Sequence, residues 1–110
     1  AVTDVLDKTL LRSSGFSDLF DPHIWFDVSL WMRVAQGVCS LLSKHDAAYR
    51  DYYHERLVLY LERLKNLDEY VKNQVKSIPD NKRILITAHD AYEYFGQAYG
   101  FTVVGLQGIS

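Results

Sequence analysis

The feature of this sequence that most constrains its fold is a long apolar stripe in the middle of the chain. Apolar residues recur there in steps of four and three, the heptad spacing of a helix that packs along its whole length. The stripe predicts a helix over about residues 46–77, with Asp46 as its N-cap. Such a helix is about 48 Å long, whereas a compact domain of 110 residues has a radius of gyration of about 13 Å. The helix therefore joins two lobes or pairs with another chain. The stripe consists of Tyr53, Leu57, Tyr60, Leu64, Leu67, Val71 and Ile78.

A second helical pattern precedes the long helix. Apolar residues recur at three- and four-residue steps over about residues 28–43, and Asp27 is placed to cap the first turn. Residues 1–27 show no sustained period, so we expect them to be mostly irregular.

After Pro79 the sequence changes from a helical to a strand pattern. Runs rich in β-branched residues predict strands over residues 83–88 and 101–106. A short helix over about residues 91–99 separates them, so this part of the chain reads as a βαβ unit and the fold class as α/β.

The ends of that short helix have recognisable signals. Asp90, with Glu93 three residues later, forms the pattern of a capping box. Gly100 is suited to the left-handed position that follows a helix.

Composition narrows the classes of protein. Hydrophobic residues make up 48% and charged residues 24%, which argues against intrinsic disorder. The net charge of −2 argues against nonspecific nucleic-acid binding. No apolar run reaches the roughly 18 residues of a membrane-spanning helix. The single cysteine, Cys39, lies on the apolar face of the first helix, where we expect it to be buried rather than reactive.

Two of the four histidines lie where a ligand could bind. His89 follows the strand at 83–88, and ligands bind outside the carboxyl ends of strands in open α/β sheets. His23 lies in the loop Asp21-Pro22-His23-Ile24-Trp25-Phe26-Asp27, which Pro22 stiffens. Such a loop suits a metal ligand. Each residue also has a plainer interpretation: His89 as a loop histidine that contacts backbone, and His23 as a turn histidine in a loop that Trp25 anchors on the core.

The other histidines have no partner of the same kind on their helix face. His45 follows a helix end and His54 lies beside the apolar stripe, so we expect both on the surface. A hydrolytic site built from His89 and Asp90 is conceivable, but it lacks an obvious nucleophile.

Two tracts together resemble a known family. Asp21-Pro22-His23-Ile24-Trp25-Phe26-Asp27 resembles the DPHxWxD signature of TroA-like metal-binding proteins, the cluster A-I solute-binding components of metal-ion ABC transporters. Thr87-Ala88-His89-Asp90-Ala91-Tyr92-Glu93-Tyr94-Phe95 resembles the ligand loop of that family's second lobe. The two tracts flank a long helix in the family's order.

The resemblance implies two α/β lobes joined by one rigid helix, with a metal ion in the cleft between them. Residues 1–45 would end the first lobe with the DPHxW loop, 46–78 would form the interlobe helix, and 79–110 would begin the second lobe. His23 and His89 would be two of four protein ligands. The other two, a histidine nearer the N-terminus and a carboxylate nearer the C-terminus, would lie outside residues 1–110.

The function implied by the resemblance is capture of zinc, manganese or iron and delivery to an ABC permease, without catalysis. The location would be the periplasm or, for a lipid-anchored form, the outer face of the cytoplasmic membrane, and the family extends to cell adhesion. The alternative is a non-metal helical interaction module built on the heptad helix. Because the chain begins at Ala1 without an initiator Met, we expect an internal segment of a longer protein.

As an isolated chain, this segment is expected to self-associate. Its heptad stripe would lack the lobes that cover it in a longer protein. The alternative is a helix that breaks near residues 66–68 and folds back over its own stripe.

Overall fold

The computed structural model describes residues 2–14 and 20–107. Helix α1 spans Val28–His45, and the Asp27 carboxylate accepts hydrogen bonds from the backbone N–H groups of Ser29 and Leu30. The predicted N-cap is therefore confirmed. Helical 3₁₀ turns at Val2–Val5, Lys8–Leu10 and Ile24–Phe26 interrupt the otherwise irregular segment before α1.

Helix α2 is the long element that the heptad stripe predicts. It spans Arg50–Lys76, and its 27 residues extend about 40 Å. The helix is continuous through residues 66–68, so the alternative of a helix that breaks there and folds back is wrong. The radius of gyration is 16.2 Å, above the value of about 13 Å for a compact domain of this length.

The predicted cap of α2 is also wrong. A 3₁₀ turn at Ala47–Tyr49 separates Asp46 from the α-helix, whose N-cap is Tyr49. The Asp46 carboxylate instead accepts a hydrogen bond of 2.7 Å from the hydroxyl of Tyr53.

The last third of the chain is the predicted βαβ unit. Strands β1, Ile84–His89, and β2, Thr102–Gln107, pair in parallel, with Ile84 opposite Thr102. Helix α3, Glu93–Tyr99, connects them. Gly100 ends α3 at φ 77°, in the left-handed region where glycine is favoured, as predicted.

The capping box predicted for α3 does not form, because the helix starts later than expected. Its first residue is Glu93 and its N-cap is Tyr92, two residues beyond Asp90. Asp90 packs against β2 instead: a Cβ placed on Gly105 would lie 2.6 Å from the Cβ of Asp90.

Two hydrophobic clusters form the core. One joins the N-terminal segment, the loop before α1, α1 itself and α3; its buried members are Leu6, Ile24, Leu30, Val34 and Tyr94. The other joins α1, α2 and α3; its buried members are Val28, Leu64, Val75 and Tyr99. The two clusters hold α3 against both α1 and α2.

Two apolar faces stay open. A groove between α1 and α2 encloses about 470 Å³, and its walls include Val38, Leu42 and Leu59, each 40–50% exposed. One face of the sheet exposes Ile86 and Leu106 by 63% and 71%. In the part of the chain that is described, none of the helices combines the length and apolarity of a membrane span.

Candidate metal centre

The His23 loop, residues 20–27, is anchored from inside the protein. Ile24 is 0% exposed and lies in the core cluster with Tyr94, whereas Trp25 is 46% exposed. The expectation that Trp25 anchors the loop on the core is therefore wrong: its neighbour Ile24 does so. The N–H of Ile24 also donates to the carbonyl of Pro22 over 2.8 Å, which tightens the turn around His23.

Asp21 fixes the orientation of the His23 ring. Its Oδ1 accepts a hydrogen bond of 3.0 Å from the backbone N–H of His23 and lies 2.7 Å from Nδ1 of the same residue. Both side chains are buried. A ring whose Nδ1–H donates to a carboxylate presents the lone pair of Nε2, which is the usual arrangement behind a metal-binding histidine. In the sequence, Asp21 is recognisable only as part of the loop motif, and its contact with His23 is not predicted. The available signal was an acidic residue two positions before a candidate ligand.

His89 lies at the carboxyl end of β1, as predicted. The hydroxyl of Thr87 and the backbone N–H of Ala91 donate to its carbonyl over 2.9 and 3.0 Å. These bonds hold the turn that leaves the strand, and the half-buried imidazole extends from it toward the His23 loop.

The structure brings the two predicted site histidines together. Nε2 of His23 lies 3.3 Å from Nε2 of His89, although 66 residues separate them in sequence. The rings meet edge to face, with centroids 5.1 Å apart and planes at 79°. Two zinc–nitrogen bonds of the usual length at a tetrahedral angle place their nitrogens about 3.3–3.4 Å apart. The spacing therefore suits two ligands of one ion; without an ion, a proton on one Nε2 can bridge the pair.

Aromatic rings lie beside His23 and within its loop. Trp25 meets His23 edge to face at 5.2 Å between centroids, and Phe26 stacks on Tyr92 at 4.4 Å. Among residues 2–14 and 20–107, no group of three or more His, Cys, Asp or Glu side chains is placed to hold an ion.

The remaining candidates lie as expected, with one exception. His45 and His54 are exposed, and Cys39 is buried. Asp90 differs from its predicted role as a cap: within the described residues, its Oδ1 is buried and has no hydrogen-bond partner.

Comparison with known proteins gives one consistent family. Residues 2–110 match the family model ZnuA, described as zinc-uptake complex component A, periplasmic. The chain is 38% identical over 110 residues to the manganese-binding lipoprotein MntA of Bacillus subtilis, covering 100% of this chain and 36% of that protein. It is 45% identical over 91 residues to the zinc-binding protein TroA of Treponema pallidum, covering 83% of this chain and 30% of that protein.

The fold comparison agrees. The solved structure of periplasmic zinc-binding protein TroA from Treponema pallidum superposes with a TM-score of 0.92 at 40% identity, over 100% of this chain and 39% of that one. The chain thus spans about a third of the length of these relatives. The match over nearly every residue, together with the shared fold, means that this chain belongs to the ZnuA/TroA family of metal-binding substrate-binding proteins.

Proposed function

We propose that this chain forms part of an extracytoplasmic solute-binding protein that captures a divalent transition metal and presents it to an ABC permease. His23 and His89 are the ligands that this part of the protein contributes. The proposed function consists of binding and releasing the metal ion, with no covalent step.

The observation that carries the proposal is the convergence of the two Nε2 atoms at 3.3 Å. One histidine comes from the loop before α1 and the other from the end of β1, so chain proximity does not explain their contact. Asp21 orients one ring with its carboxylate, as expected behind a metal ligand.

Zinc and manganese are both proposed as cargo. Imidazole nitrogen is a good ligand for zinc. It also binds other first-row divalent metals, and carboxylates at the remaining ligand positions make manganese more favourable. The relatives support both metals, since TroA is named as a zinc-binding protein and MntA as a manganese-binding lipoprotein. Iron and cell adhesion stay expectations from the family resemblance.

In the proposed arrangement, residues 1–45 end one lobe, α2 lies within the interlobe segment 46–78, and 79–110 begin the second lobe. The two open apolar faces are consistent with this division, since neighbouring lobe elements would cover them. The relatives described as periplasmic or as lipoproteins support a location outside the cytoplasm.

The two earlier alternatives are not retained. The relatives are named for binding metals, which gives no support to a non-metal interaction module. The same names describe binding proteins rather than enzymes, and Asp90 packs on Gly105 instead of pairing with His89 as a hydrolytic site would need.

The test is a zinc titration, monitored by calorimetry, of four single variants and of the double variant His23→Ala/His89→Ala in the full-length protein of which this chain forms part. His23→Ala and His89→Ala should each abolish most of the binding seen for the unsubstituted protein. Their effects should be non-additive, because both atoms bind one ion. His45→Ala and His54→Ala are matched controls on exposed positions and should bind zinc normally. Normal binding by either of the first two variants would contradict the ligand assignment.

A further inference from the structure

The hydroxyl of Tyr94 replaces a backbone hydrogen bond between Arg12 and Asp21. Arg12 and Asp21 lie opposite each other, next to an antiparallel bridge between Ser13 and Phe20. Residues so placed normally exchange two N–H···O bonds. The N–H of Asp21 makes its bond to the Arg12 carbonyl at 2.9 Å. The reciprocal bond runs through Tyr94, whose Oη accepts from the Arg12 N–H at 2.9 Å and donates to the Asp21 carbonyl at 3.2 Å.

Other contacts of α3 support this insertion. Glu93 lies 3.3 Å from the Arg12 guanidinium. Tyr94 itself is 2% exposed and packs in the core cluster with Ile24. Burial raises the pKa of Tyr94, so its hydroxyl keeps the proton that it donates.

The contact reaches both histidines of the metal centre. Asp21, whose carbonyl accepts from Tyr94, holds the His23 ring through its carboxylate. On the other side, Tyr94 follows His89 by five residues, at the start of the helix that leaves β1. The two histidines are therefore connected by a short series of contacts that runs through Asp21 and Tyr94 and does not involve α2.

We propose that Tyr94 is a positioning residue of the metal centre, which holds His23 at ion-binding distance from His89 by way of the Asp21 backbone. The proposal rests on the proposed metal-capture function for its zinc measurement, but its geometry can be tested without metal. Without the hydroxyl, the Arg12 N–H and the Asp21 carbonyl either lose a partner or close directly on each other. Either result shifts Asp21 relative to α3, and His23 moves with it.

The experiment compares Tyr94→Phe with Tyr99→Phe in the full-length protein of which this chain forms part. Tyr99 is a matched control because it lies on the same helix, is 6% exposed, and donates its hydroxyl to Asp68 on α2 instead of to the His23 loop. Zinc alone is titrated by calorimetry. We expect Tyr94→Phe to bind zinc about tenfold more weakly, as for loss of an outer-shell partner, and Tyr99→Phe to stay within about twofold of the unsubstituted chain.

A measurement on the zinc-free protein separates positioning from general destabilisation. The imidazole protons of His23 and His89 should show a nuclear Overhauser contact in the unsubstituted chain and in Tyr99→Phe, and a weaker one in Tyr94→Phe. Unchanged zinc affinity and imidazole contact in Tyr94→Phe would overturn the proposal, as would an equal loss in Tyr99→Phe.

Two further outcomes keep the proposals distinct. If His23→Ala and His89→Ala leave zinc binding intact, the proposed function fails, while the zinc-free imidazole contact still decides the role of Tyr94.

If Tyr94→Phe does not fold, hydrogen exchange of the unsubstituted chain replaces the comparison of variants. Because coupling is reciprocal, zinc should slow exchange of the Arg12 amide more than that of the Phe101 amide, whose acceptor is within α3. Equal slowing would contradict the proposal.

Discussion

The hydroxyl of Tyr99 donates a hydrogen bond of 2.9 Å to Oδ1 of Asp68, and this bond ties the last turn of α3 to the middle of α2. Lys72 contacts the other carboxylate oxygen of Asp68 one helical turn later. The βαβ unit is thus fastened to the long helix by a polar contact at the edge of the second core cluster, where Tyr99 is buried.

Removal of that hydroxyl should destabilise the chain. We expect Tyr99→Phe to lower the free energy of unfolding by about 1–2 kcal/mol, because Asp68 loses a buried donor but keeps Lys72. Urea denaturation followed by circular dichroism measures this. Tyr70→Phe, on an exposed face of α2, is the control and should unfold at the concentration of the unsubstituted chain.

The same tyrosine should make stability fall in strong alkali. Burial, followed by the hydrogen bond to Asp68, raises the pKa of Tyr99 above its ordinary value of 10.0. The folded state therefore retains this proton when the unfolded chain has lost it. The contribution is complete below pH 10 and declines as the pH rises toward the higher pKa of the folded state. Denaturation curves from about one unit below to about one and a half units above the ordinary pKa should show a smaller decline for Tyr99→Phe. An identical decline would contradict the assignment.

Asp21→Asn should weaken metal binding more than it weakens the fold. Asparagine can still accept a hydrogen bond from the backbone N–H of His23, but it no longer offers a carboxylate to Nδ1. Loss of such a partner costs about 10- to 100-fold in metal affinity. Zinc calorimetry measures the change. Asp46→Asn, which alters a carboxylate bound to Tyr53 and not to His23 or His89, should bind zinc as the unsubstituted chain does.

Gly96→Ala should destabilise the βαβ unit. A Cβ at this position would lie 2.6 Å from Cγ2 of Val103 and 2.8 Å from the carbonyl oxygen of Phe101, so helix and strand would have to separate. We expect a loss of about 1–3 kcal/mol despite the better helix propensity of alanine. Thermal denaturation tests this against Gln97→Ala, an exposed neighbour whose substitution should leave the midpoint nearly unchanged.

The 110-residue chain should bind zinc weakly. The family resemblance implies four protein ligands, of which His23 and His89 are two, and transport or structural zinc sites normally use four. Binding should therefore fall far short of the roughly 10 kcal/mol or more of complete four-ligand sites. Tight binding of one zinc per monomer, with both histidines coordinated, would contradict a cleft completed by residues outside this chain.

Self-association should follow from the groove between α1 and α2. Its apolar wall residues Val38, Leu42 and Leu59 are 40–50% exposed, and a second copy could cover them. Sedimentation equilibrium at micromolar concentration should give a mass above 12.7 kDa. Leu59→Lys, in the wall of the groove, should restore the monomer, whereas Glu69→Lys, exposed elsewhere on α2, should not. A monomeric unsubstituted chain would show that the open groove is tolerated.

The sequence by itself determined the helices, the strands and their order. Apolar periodicity, the Asp27 cap and the glycine after α3 depend on residues within a few positions of each other, so they can be read locally. The two histidines could also be singled out, one from its place after a strand and both from the family motifs. Two caps predicted from local pattern failed. The Asp46 carboxylate bonds to Tyr53, whereas Asp90 packs on Gly105 and its Oδ1 has no hydrogen-bond partner among the described residues.

The tertiary structure alone decided how the candidate metal centre is assembled. The contact between His23 and His89 spans 66 residues, and the bonds of Tyr94 to Arg12 and Asp21 span 82 and 73. No local period or motif specifies such distances, because they depend on how α3 packs against the loop before α1. The same packing buried Ile24 and left Trp25 half exposed, although both are apolar neighbours in one turn. Which of them anchors the loop depends on the direction in which the turn meets the core, and that direction is set by contacts distant in sequence.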